Sequence, residues 1–535
     1  MSNKIFLVGI IIIICLAVLL TYIATLNGLF LVSDGYGYLS LARLTKLFLN
    51  DISSNTIDKD LLGILMGLYG GALKHWPPLY SMVLSTIGWF NDPYVAARYL
   101  HLFFPVLIGL LTFMIFRQHR KSYKRIFFAT ALILLAPFIL VFNWFPISEF
   151  LFFILQLLVM LIFSKYLYSQ KTVHLLLTAF FIGLACLTRY IGIAMIPAIV
   201  VTTLYLNSRY LFKTSFLTIL FCVLLCLIPV ALFVLFPFSG NDFSLSSRNY
   251  FVWAPPDLFI FFWITIQSLL LCLSPAWFPF YVKILCSSFT AVIFFVAIRS
   301  QLQDQTHYPP PPAVIQFQYF IGACICFYVL TVLCFSFFCI DKFFLGLNSR
   351  YLAPILVWLI FLFGMMGPDE SNRTDNLSKN KKFMYIGLLV IIFIYTWSSS
   401  VLAVKTNNKN ILITKRLKQD PVWSFIKHSP NIKCIISNEA GKAFHYSGIP
   451  AFALPNQYIF ETSKDKKKSF LEYMHRLKQI LNKYNGIVIY FNPYLNEQPE
   501  IAIMSGTVSV EECLTLLDLQ IKMQTENCQI LIPEP

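Results

Sequence analysis

The chain has 535 residues, of which 58% are hydrophobic and only 12% are charged, and its formal net charge is +16. Many apolar segments are long enough to cross about 30 Å of hydrocarbon, which excludes a soluble globular protein and predicts a polytopic α-helical membrane protein. Because Lys and Arg collect in short loops between these segments, the positive charge indicates topology and attraction to anionic membrane lipid, and we expect no nucleic-acid partner.

The first apolar segment covers residues 5–26 and is too long for the apolar region of a signal peptide, so we interpret it as an uncleaved membrane anchor. Asp34 follows closely, with Tyr36 and Tyr38 beside it. A carboxylate so near the mouth of a membrane helix costs free energy unless water, a cation or a substrate receives it. Asp34 is therefore either an ordinary acid of a surface loop or a functional carboxylate at the membrane interface.

The long first loop, residues 27–96, is predicted to lie on the outer side and to contain interfacial helices. Apolar side chains recur at helical spacing from Tyr38 to Leu49, which favours a helix that lies in the interface rather than crossing the membrane. The pair Pro77-Pro78 predicts the start of a helix or a sharp turn. It would hold Lys74 and His75 at a defined height above the bilayer.

Three basic runs orient the chain, because Lys and Arg concentrate in cytoplasmic loops. They are residues 117–125, 207–213 and 379–382. Counting outward from them gives about eleven spans, with the N-terminus inside and the C-terminus outside. The predicted spans lie near residues 5–26, 97–116, 126–143, 150–168, 173–188, 190–206, 214–237, 276–299, 316–339, 351–367 and 383–403. Residues 258–275 are interpreted as re-entrant or interfacial, since another crossing there would place 379–382 outside.

This topology places several ionisable residues together at the outer membrane face. They are Asp34, Lys74, His75, Glu149, Arg189 and Arg350. Singly, each cation has a plain explanation, because Lys and Arg at helix ends reach for water and a lone His is usually just hydrogen-bonded. Two acids and several cations at one interface also suit transfer from a lipid-linked phosphosugar, in which an acid takes a proton and cations hold a phosphate.

The composition changes after residue 403, and residues 404–535 are predicted to form a small soluble α/β domain on the outer face, beside a transmembrane domain of residues 1–403. Short apolar runs near residues 433–437, 451–454, 486–491 and 528–532 predict strands, with helices near 469–484 and from Ser509 onward. Cys434, Cys513 and Cys528 lie in this part, and a disulfide among them is left open.

Several motifs along residues 1–403 resemble those of the GT-C glycosyltransferases, in the branch of the protein O-mannosyltransferases and aminoarabinose transferases. The acid after the first span with Tyr38-Leu39-Ser40-Leu41-Ala42-Arg43 is similar to the first-loop motif of that family. Further similar elements follow in the same order at residues 75–80, 97–100, 146–152, 183–192 and 349–354. Two departures stand out: Trp76 interrupts the His-Pro-Pro-Leu-Tyr element, and Gly35 replaces a second acid that many relatives carry after the first.

The resemblance implies an enzyme that transfers a sugar from a polyprenyl-phosphate carrier to an acceptor hydroxyl with inversion. It implies Asp34 as general base and Glu149 as a second catalytic carboxylate. The substrate and its phosphate would be bound by Lys74, His75, Arg189, Arg350, Tyr36 and Tyr38. Because Gly35 follows Asp34, dependence on a divalent cation is left open, and no other cofactor is expected.

The acceptor (a glycan, a lipid or a protein) and the sugar are not readable from the residues. The expected location is the plasma or inner membrane of a bacterium. Two other classes are weighed against the enzyme: a transporter or flippase for lipid-linked sugars, and a non-catalytic GT-C-like subunit. A transporter should show inverted repeats and polar residues near the bilayer midplane, whereas here the polar residues gather at one interface.

Overall fold

The computed structural model describes most of the chain. The described residues are 3–29, 31, 33–54, 77–88, 92–210, 216–235, 263, 265–268, 281, 283–285, 288–290, 292, 311–338, 349–366, 379–454, 466–491 and 510–533.

Helices account for nearly all of the apolar part. Up to residue 210 they are α1 (Asn3–Ala24), α2 (Ser33–Ser54), α3 (Leu79–Ile87), α4 (Pro93–Gln118), α5 (Tyr123–Leu135), α6 (Pro137–Leu140), α7 (Glu149–Ser169), α8 (Thr172–Thr188) and α9 (Met195–Tyr210). Beyond it lie α10 (Phe216–Leu235), α11 (Pro312–Phe338), α12 (Ser349–Met365) and α13 (Lys379–Lys418). Two 3-10 turns, Val141–Trp144 and Tyr190–Ala194, precede α7 and α9.

Among the described residues, five helices are long and apolar enough to cross a membrane: α1, α4, α7, and the stretches Pro312–Cys334 and Met384–Lys409 of α11 and α13. Shorter apolar helices of 10–17 residues lie at Thr172–Thr188, Tyr190–Leu206, Phe216–Ile228 and Arg350–Met365. The α7 helix lies at the centre of the bundle, with most of its side chains buried. In contrast, α1 exposes Ile11 and Ile12, as expected of a helix at the lipid boundary.

Ten of the eleven predicted spans coincide with helices, and the span predicted at 276–299 lies mostly outside the described residues. Helix ends that the predicted topology places on the same side of the membrane are in contact. At the end assigned to the cytoplasm, Tyr168 bonds to His119 over 3.1 Å, and Arg125 donates to the carbonyl of Met366 over 2.5 Å. At the opposite end, the amide of Asn27 donates to Asn407 over 2.9 Å. The number of membrane crossings stays a prediction.

The first loop follows the sequence pattern where the structure describes it. The helix predicted from Tyr38 to Leu49 is found as α2, which buries Tyr38, Leu41 and Ala42. Pro78 lies at the N-cap of α3, so the proline pair begins a helix. Lys74 and His75 lie outside the described residues, as does most of 258–275.

The C-terminal part contains one five-stranded sheet with helices between its strands. Its elements are α14 (Pro421–Lys427), β1 (Ile435–Ser437), α15 (Ala440–Ser447), β2 (Ala451–Ala453), α16 (Lys466–Lys483), β3 (Ile487–Phe491), α17 (Val510–Leu517), β4 (Leu519–Gln524) and β5 (Cys528–Pro533). The strand order is β2-β1-β3-β5-β4. The β1 strand pairs in parallel with β2 and β3, whereas β5 is antiparallel to β3 and β4.

The four predicted strands and both predicted helices of this part are confirmed, and β4 was missed. It is an edge strand that buries only Leu519 and exposes most of its other side chains, so it lacks the apolar run that identifies the other strands. The α13 helix continues to Lys418, beyond the predicted domain boundary at residue 403. Cys434, Cys513 and Cys528 are all buried free thiols.

Candidate functional site

The strongest concentration of buried charge lies where three helix ends meet. Glu149 is the first residue of α7, Arg189 directly follows α8, and Arg350 is near the start of α12. The Arg189 Nη1 lies 2.7 Å from Glu149 Oε1, and Arg350 Nε and Nη2 each lie 2.5 Å from the same oxygen. We call these three residues the carboxylate cluster. The structure thus brings together three of the predicted site residues.

The three members of the carboxylate cluster are two guanidinium groups and the one carboxylate that they share. The Glu149 side chain is 1% exposed, whereas the side chain of Arg350 is 35% exposed. Glu149 Oε2 is buried and has no hydrogen-bond partner among the described residues. A carboxylate placed here could not remain charged without its arginines, since burying an unpaired charge costs several kcal/mol. Of the two guanidinium groups, that of Arg350 is the more accessible.

Aromatic side chains surround Arg189 within the cluster. The ring of Tyr351 lies 5.6 Å from its guanidinium carbon, a distance at which a cation–π contact is favourable. The Tyr328 hydroxyl is buried without a hydrogen-bond partner in the described part of the chain. Arg189 is therefore bound to Glu149 and lies near the ring of Tyr351, while Arg350 retains access to solvent.

Asp34 is the second residue of α2, and its helix begins beside the cluster. There is no room for a side chain at Gly35, because a Cβ there would lie 2.9 Å from the Pro146 ring. The Tyr38 hydroxyl bonds to Ser148 Oγ over 2.9 Å, one residue before Glu149. The structure describes the backbone of Asp34 and not its side chain. Its place in the first turn of α2 suits a carboxylate, since the positive end of the helix dipole is there.

The two tyrosines near Asp34 are buried against protein. Tyr38 is 3% exposed and its ring makes an edge contact with Tyr80 at 5.2 Å. Tyr36 is 7% exposed and makes an edge contact with His445 of α15 at 5.7 Å. Contact of either tyrosine with a substrate stays a prediction.

A buried series of hydrogen bonds next to α2 was not predicted from the sequence. The Tyr80 hydroxyl lies 2.6 Å from His101 Nε2, and His101 Nδ1 lies 2.9 Å from the carbonyl oxygen of Asn143. Because a carbonyl oxygen only accepts, Nδ1 carries the proton and Nε2 accepts from Tyr80. The Asn143 amide in turn donates to Thr21 Oγ1 over 3.0 Å. These hydrogen bonds connect α3 and α4 to α1. No local pattern in the sequence could have revealed them, because the residues are far apart in the sequence.

No group of three or more His, Cys, Asp or Glu residues that could hold a metal ion occurs in the part of the chain that the structure describes. Glu149 by itself is a poor ligand for a divalent cation, because its Oε1 is already bound by two guanidinium groups that would repel one.

No family model matches the sequence, and no curated protein matches it. Solved structures do match. The crystal structure of ArnT from Cupriavidus metallidurans bound to undecaprenyl phosphate superposes with a TM-score of 0.58 at 12% identity, over 98% of this chain and 99% of that chain. The apo state of the same protein gives a TM-score of 0.56 at 12% identity, over 98% of each chain.

The crystal structure of the Archaeoglobus fulgidus oligosaccharyltransferase in complex with Zn and sulfate matches 90% of this chain and 68% of that chain at 12% identity. Its TM-score of 0.42 is too low to support an argument. The two ArnT structures show that this chain is similar to ArnT in its fold. The chain has the fold of ArnT along nearly its whole length, which confirms for the fold the resemblance predicted from its motifs. This fold, together with the long apolar helices, supports an integral membrane protein.

Proposed function

We propose that this protein is a membrane glycosyltransferase that transfers a sugar from a polyprenyl-phosphate carrier to an acceptor hydroxyl. The observation that carries the proposal is the carboxylate cluster, in which two guanidinium groups meet on one buried carboxylate and the guanidinium of Arg350 is partly exposed at one end of the helix bundle. The fold supports the same proposal, because ArnT was crystallised with undecaprenyl phosphate. A polyprenyl carrier suits a site at the membrane interface, since its chain lies in the bilayer and its phosphate reaches the surface.

In the proposed reaction, Asp34 accepts the proton of the acceptor hydroxyl while that oxygen attacks the anomeric carbon. The bond between the anomeric carbon and the phosphate oxygen breaks, and the carrier phosphate leaves with an additional negative charge. In-line attack inverts the anomeric configuration. Arg350 stabilises the leaving phosphate, because a guanidinium donates two parallel hydrogen bonds to a phosphate group.

Glu149 has a supporting part in this proposal. Its carboxylate neutralises one of two adjacent guanidinium groups and fixes Arg350 at 2.5 Å, so that Arg350 meets the carrier phosphate in a defined orientation. Lys74 and His75 stay further candidates for phosphate binding from the sequence. A divalent cation is assigned no step.

We place the reaction on the outer face of the membrane, with the N-terminus inside. An active site on that side has no supply of nucleotide sugars, and a lipid carrier can reach it. The proposed acceptor is a glycan, a lipid or a protein that presents a hydroxyl group on this side of the membrane.

Binding of undecaprenyl phosphate to the protein in lipid nanodiscs tests the proposal directly. We expect saturable binding that falls at least about tenfold in Arg350→Gln, because the charge and both hydrogen bonds are lost. Arg117→Gln, at the opposite end of the bundle, is the matched control and should bind normally. Binding that Arg350→Gln leaves unchanged would contradict the proposed site. If labelled carrier sugar crosses the membrane of proteoliposomes without being consumed, the protein is a transporter.

A further inference from the structure

Arg43 connects three separate parts of the structure. It lies on α2, nine residues after Asp34. Its Nη1 donates to the carbonyl oxygens of Phe444 and His445, at 3.5 and 3.2 Å, and its Nη2 lies 2.6 Å from Asp92 Oδ2. The two carbonyls belong to the last turn of α15 in the C-terminal part. A cation at this end of a helix is favourable, because the last carbonyls carry the negative end of the helix dipole.

Asp92 in turn begins a membrane helix. Its Oδ1 accepts a hydrogen bond from the backbone nitrogen of Tyr94 over 2.7 Å, and so it caps α4. One oxygen of Asp92 thus fixes the start of α4, and the other binds Arg43. Through this single guanidinium, α2 is joined both to the membrane helices and to the C-terminal part.

The surface between α2 and α15 is closely packed along the same line. A Cβ at Gly441 would lie 2.9 Å from Tyr36 Cβ and 3.2 Å from the Tyr36 carbonyl carbon, so only glycine permits this approach. The Ser40 hydroxyl donates to the Gly441 carbonyl over 3.3 Å. Leu44 is buried in the apolar core of the C-terminal part. About two turns of α2, from Tyr36 to Arg43, therefore lie against α15.

His445 fills the space between the two helices. Its ring makes edge contacts with Tyr36 at 5.7 Å and with Tyr94 at 5.2 Å. Burial lowers the pKa of His445 to about 3, and the charge of Arg43 acts in the same direction. The imidazole is therefore neutral at physiological pH, and Arg43 is the cation that bonds to the carbonyls of α15 at this contact.

We infer that Arg43 is a positioning residue, through which the C-terminal part holds α2 and thereby sets the place of Asp34 at the active site. The inference rests on the proposed function of Asp34. Asp34 and Arg43 are nine residues apart on α2, which corresponds to about 13.5 Å along the helix axis. Because the helix is stiff, loss of the contacts of Arg43 displaces the first turn of α2, which carries Asp34. A displacement of about 1 Å at a reacting group lowers the rate up to about a hundredfold.

Variants of the contact separate positioning from binding of the carrier. Arg43→Gln removes the charge and the fork of donors, and we expect kcat to fall at least about tenfold while KM for the polyprenyl-phosphate sugar stays within about twofold. Arg43→Lys keeps the charge and should recover part of the loss. Gly441→Ala forces α15 away from Tyr36 without any change of charge and should reproduce the kcat effect, which keeps the test usable if Arg43→Gln does not fold.

The matched control is Lys478→Gln. Lys478 pairs with Asp518 on the surface of the same C-terminal part and does not belong to the contact with α2. Its kcat and KM should equal those of the wild type. A normal kcat in both Arg43→Gln and Gly441→Ala, or an equal rise of KM in both, would overturn the inference.

Hydrogen exchange gives a readout that does not depend on catalysis. Arg43→Gln should accelerate exchange in α2 and α15 together and leave α16 unchanged, since the contact holds only the first two. Unchanged exchange in α2 would overturn the inference even if turnover fell. If the wild type transfers no sugar from any carrier, the proposed function fails, and the exchange measurement alone decides whether Arg43 holds α2.

Discussion

Two clusters of charged side chains lie along α2, and they differ in burial. The carboxylate cluster lies beside the first turn of the helix, and the second, which we call the docking contact, is formed near the middle of α2 by Arg43, Asp92 and the last turn of α15. In the carboxylate cluster, two guanidinium groups share Glu149, which is 1% exposed. At the docking contact, one guanidinium faces Asp92, which is 43% exposed, and its other donors go to backbone carbonyls. The first cluster combines a buried carboxylate with a partly exposed guanidinium, whereas in the second the guanidinium of Arg43 is largely covered and its carboxylate partner is exposed. The exposure of the guanidinium thus distinguishes a candidate binding site from a contact that holds parts of the fold.

The largest effect on stability is expected for Glu149→Gln. The change leaves two guanidinium groups without their carboxylate, and breaking a buried ion pair in this way costs about 3–5 kcal/mol. Asp92→Asn is the matched variant at the docking contact, because Asn keeps the helix cap and loses only an exposed ion pair, worth about 1 kcal/mol or less. Thermal unfolding in detergent should show a much larger loss for Glu149→Gln. Equal losses would mean that the two clusters do not differ as described.

Substitutions of Arg350 test whether its partly exposed guanidinium binds the carrier phosphate. If Arg350 only reached for water at a helix end, Arg350→Lys would be nearly silent. If it grips the phosphate, Lys loses the planar fork and turnover falls, and Arg350→Gln costs more, on the order of a few kcal/mol in transition-state stabilisation. The measurement is kcat and KM at limiting lipid donor. Activity of Arg350→Lys equal to the wild type would leave Arg189 and Lys74 as phosphate ligands.

Acidification should weaken the docking contact. The pKa of His445 is lowered by burial to about 3 in the folded protein, against about 6.5 in an unfolded chain. The unfolded state therefore binds the proton first, so stability is lost as the pH falls from about 6.5 towards 3, by about 1–2 kcal/mol between pH 7 and pH 5. Hydrogen exchange in α15 should accelerate at pH 5 after correction for the intrinsic rate. His445→Phe keeps the ring and removes the titration; if it responds to pH as the wild type does, His445 is not the cause.

Cysteine labelling tests whether both clusters lie on the outer face of the membrane. A cysteine at Glu511 should react with a membrane-impermeant reagent in intact cells, and one at Lys171 should react only after the membrane is opened. Both positions are exposed in the structure, and the native cysteines provide the background to subtract. Reaction at Lys171 alone would invert the proposed orientation.

The sequence predicted those parts of the structure that depend on local pattern. Apolar length identified the helices, and short apolar runs identified β1, β2, β3 and β5, because these strands are buried. The edge strand β4 escaped because its exposed side chains carry no such run. Pro77-Pro78 predicted the start of a helix or a sharp turn, and the structure shows the start of α3, since the preference of proline for the beginning of a helix is local.

Contacts between distant residues could not be predicted in the same way. The topology placed Glu149, Arg189 and Arg350 at one face, and the structure adds that both arginines bind one oxygen of Glu149. Arg43 and His445 are separated by 402 residues. Their contact depends on how α15 is placed on α2, and nothing in the spacing of either helix encodes that placement.

The central claim, that Asp34 is the base in sugar transfer from a lipid carrier, is tested most directly by the turnover of Asp34→Asn. The change preserves the shape of the side chain and removes its basicity, so we predict that kcat falls about a hundredfold or more. Undecaprenyl phosphate should still bind, since the carboxylate cluster is intact, and the melting temperature should match that of the wild type. Near-normal transfer by Asp34→Asn, measured as release of carrier phosphate from labelled donor, would contradict the account.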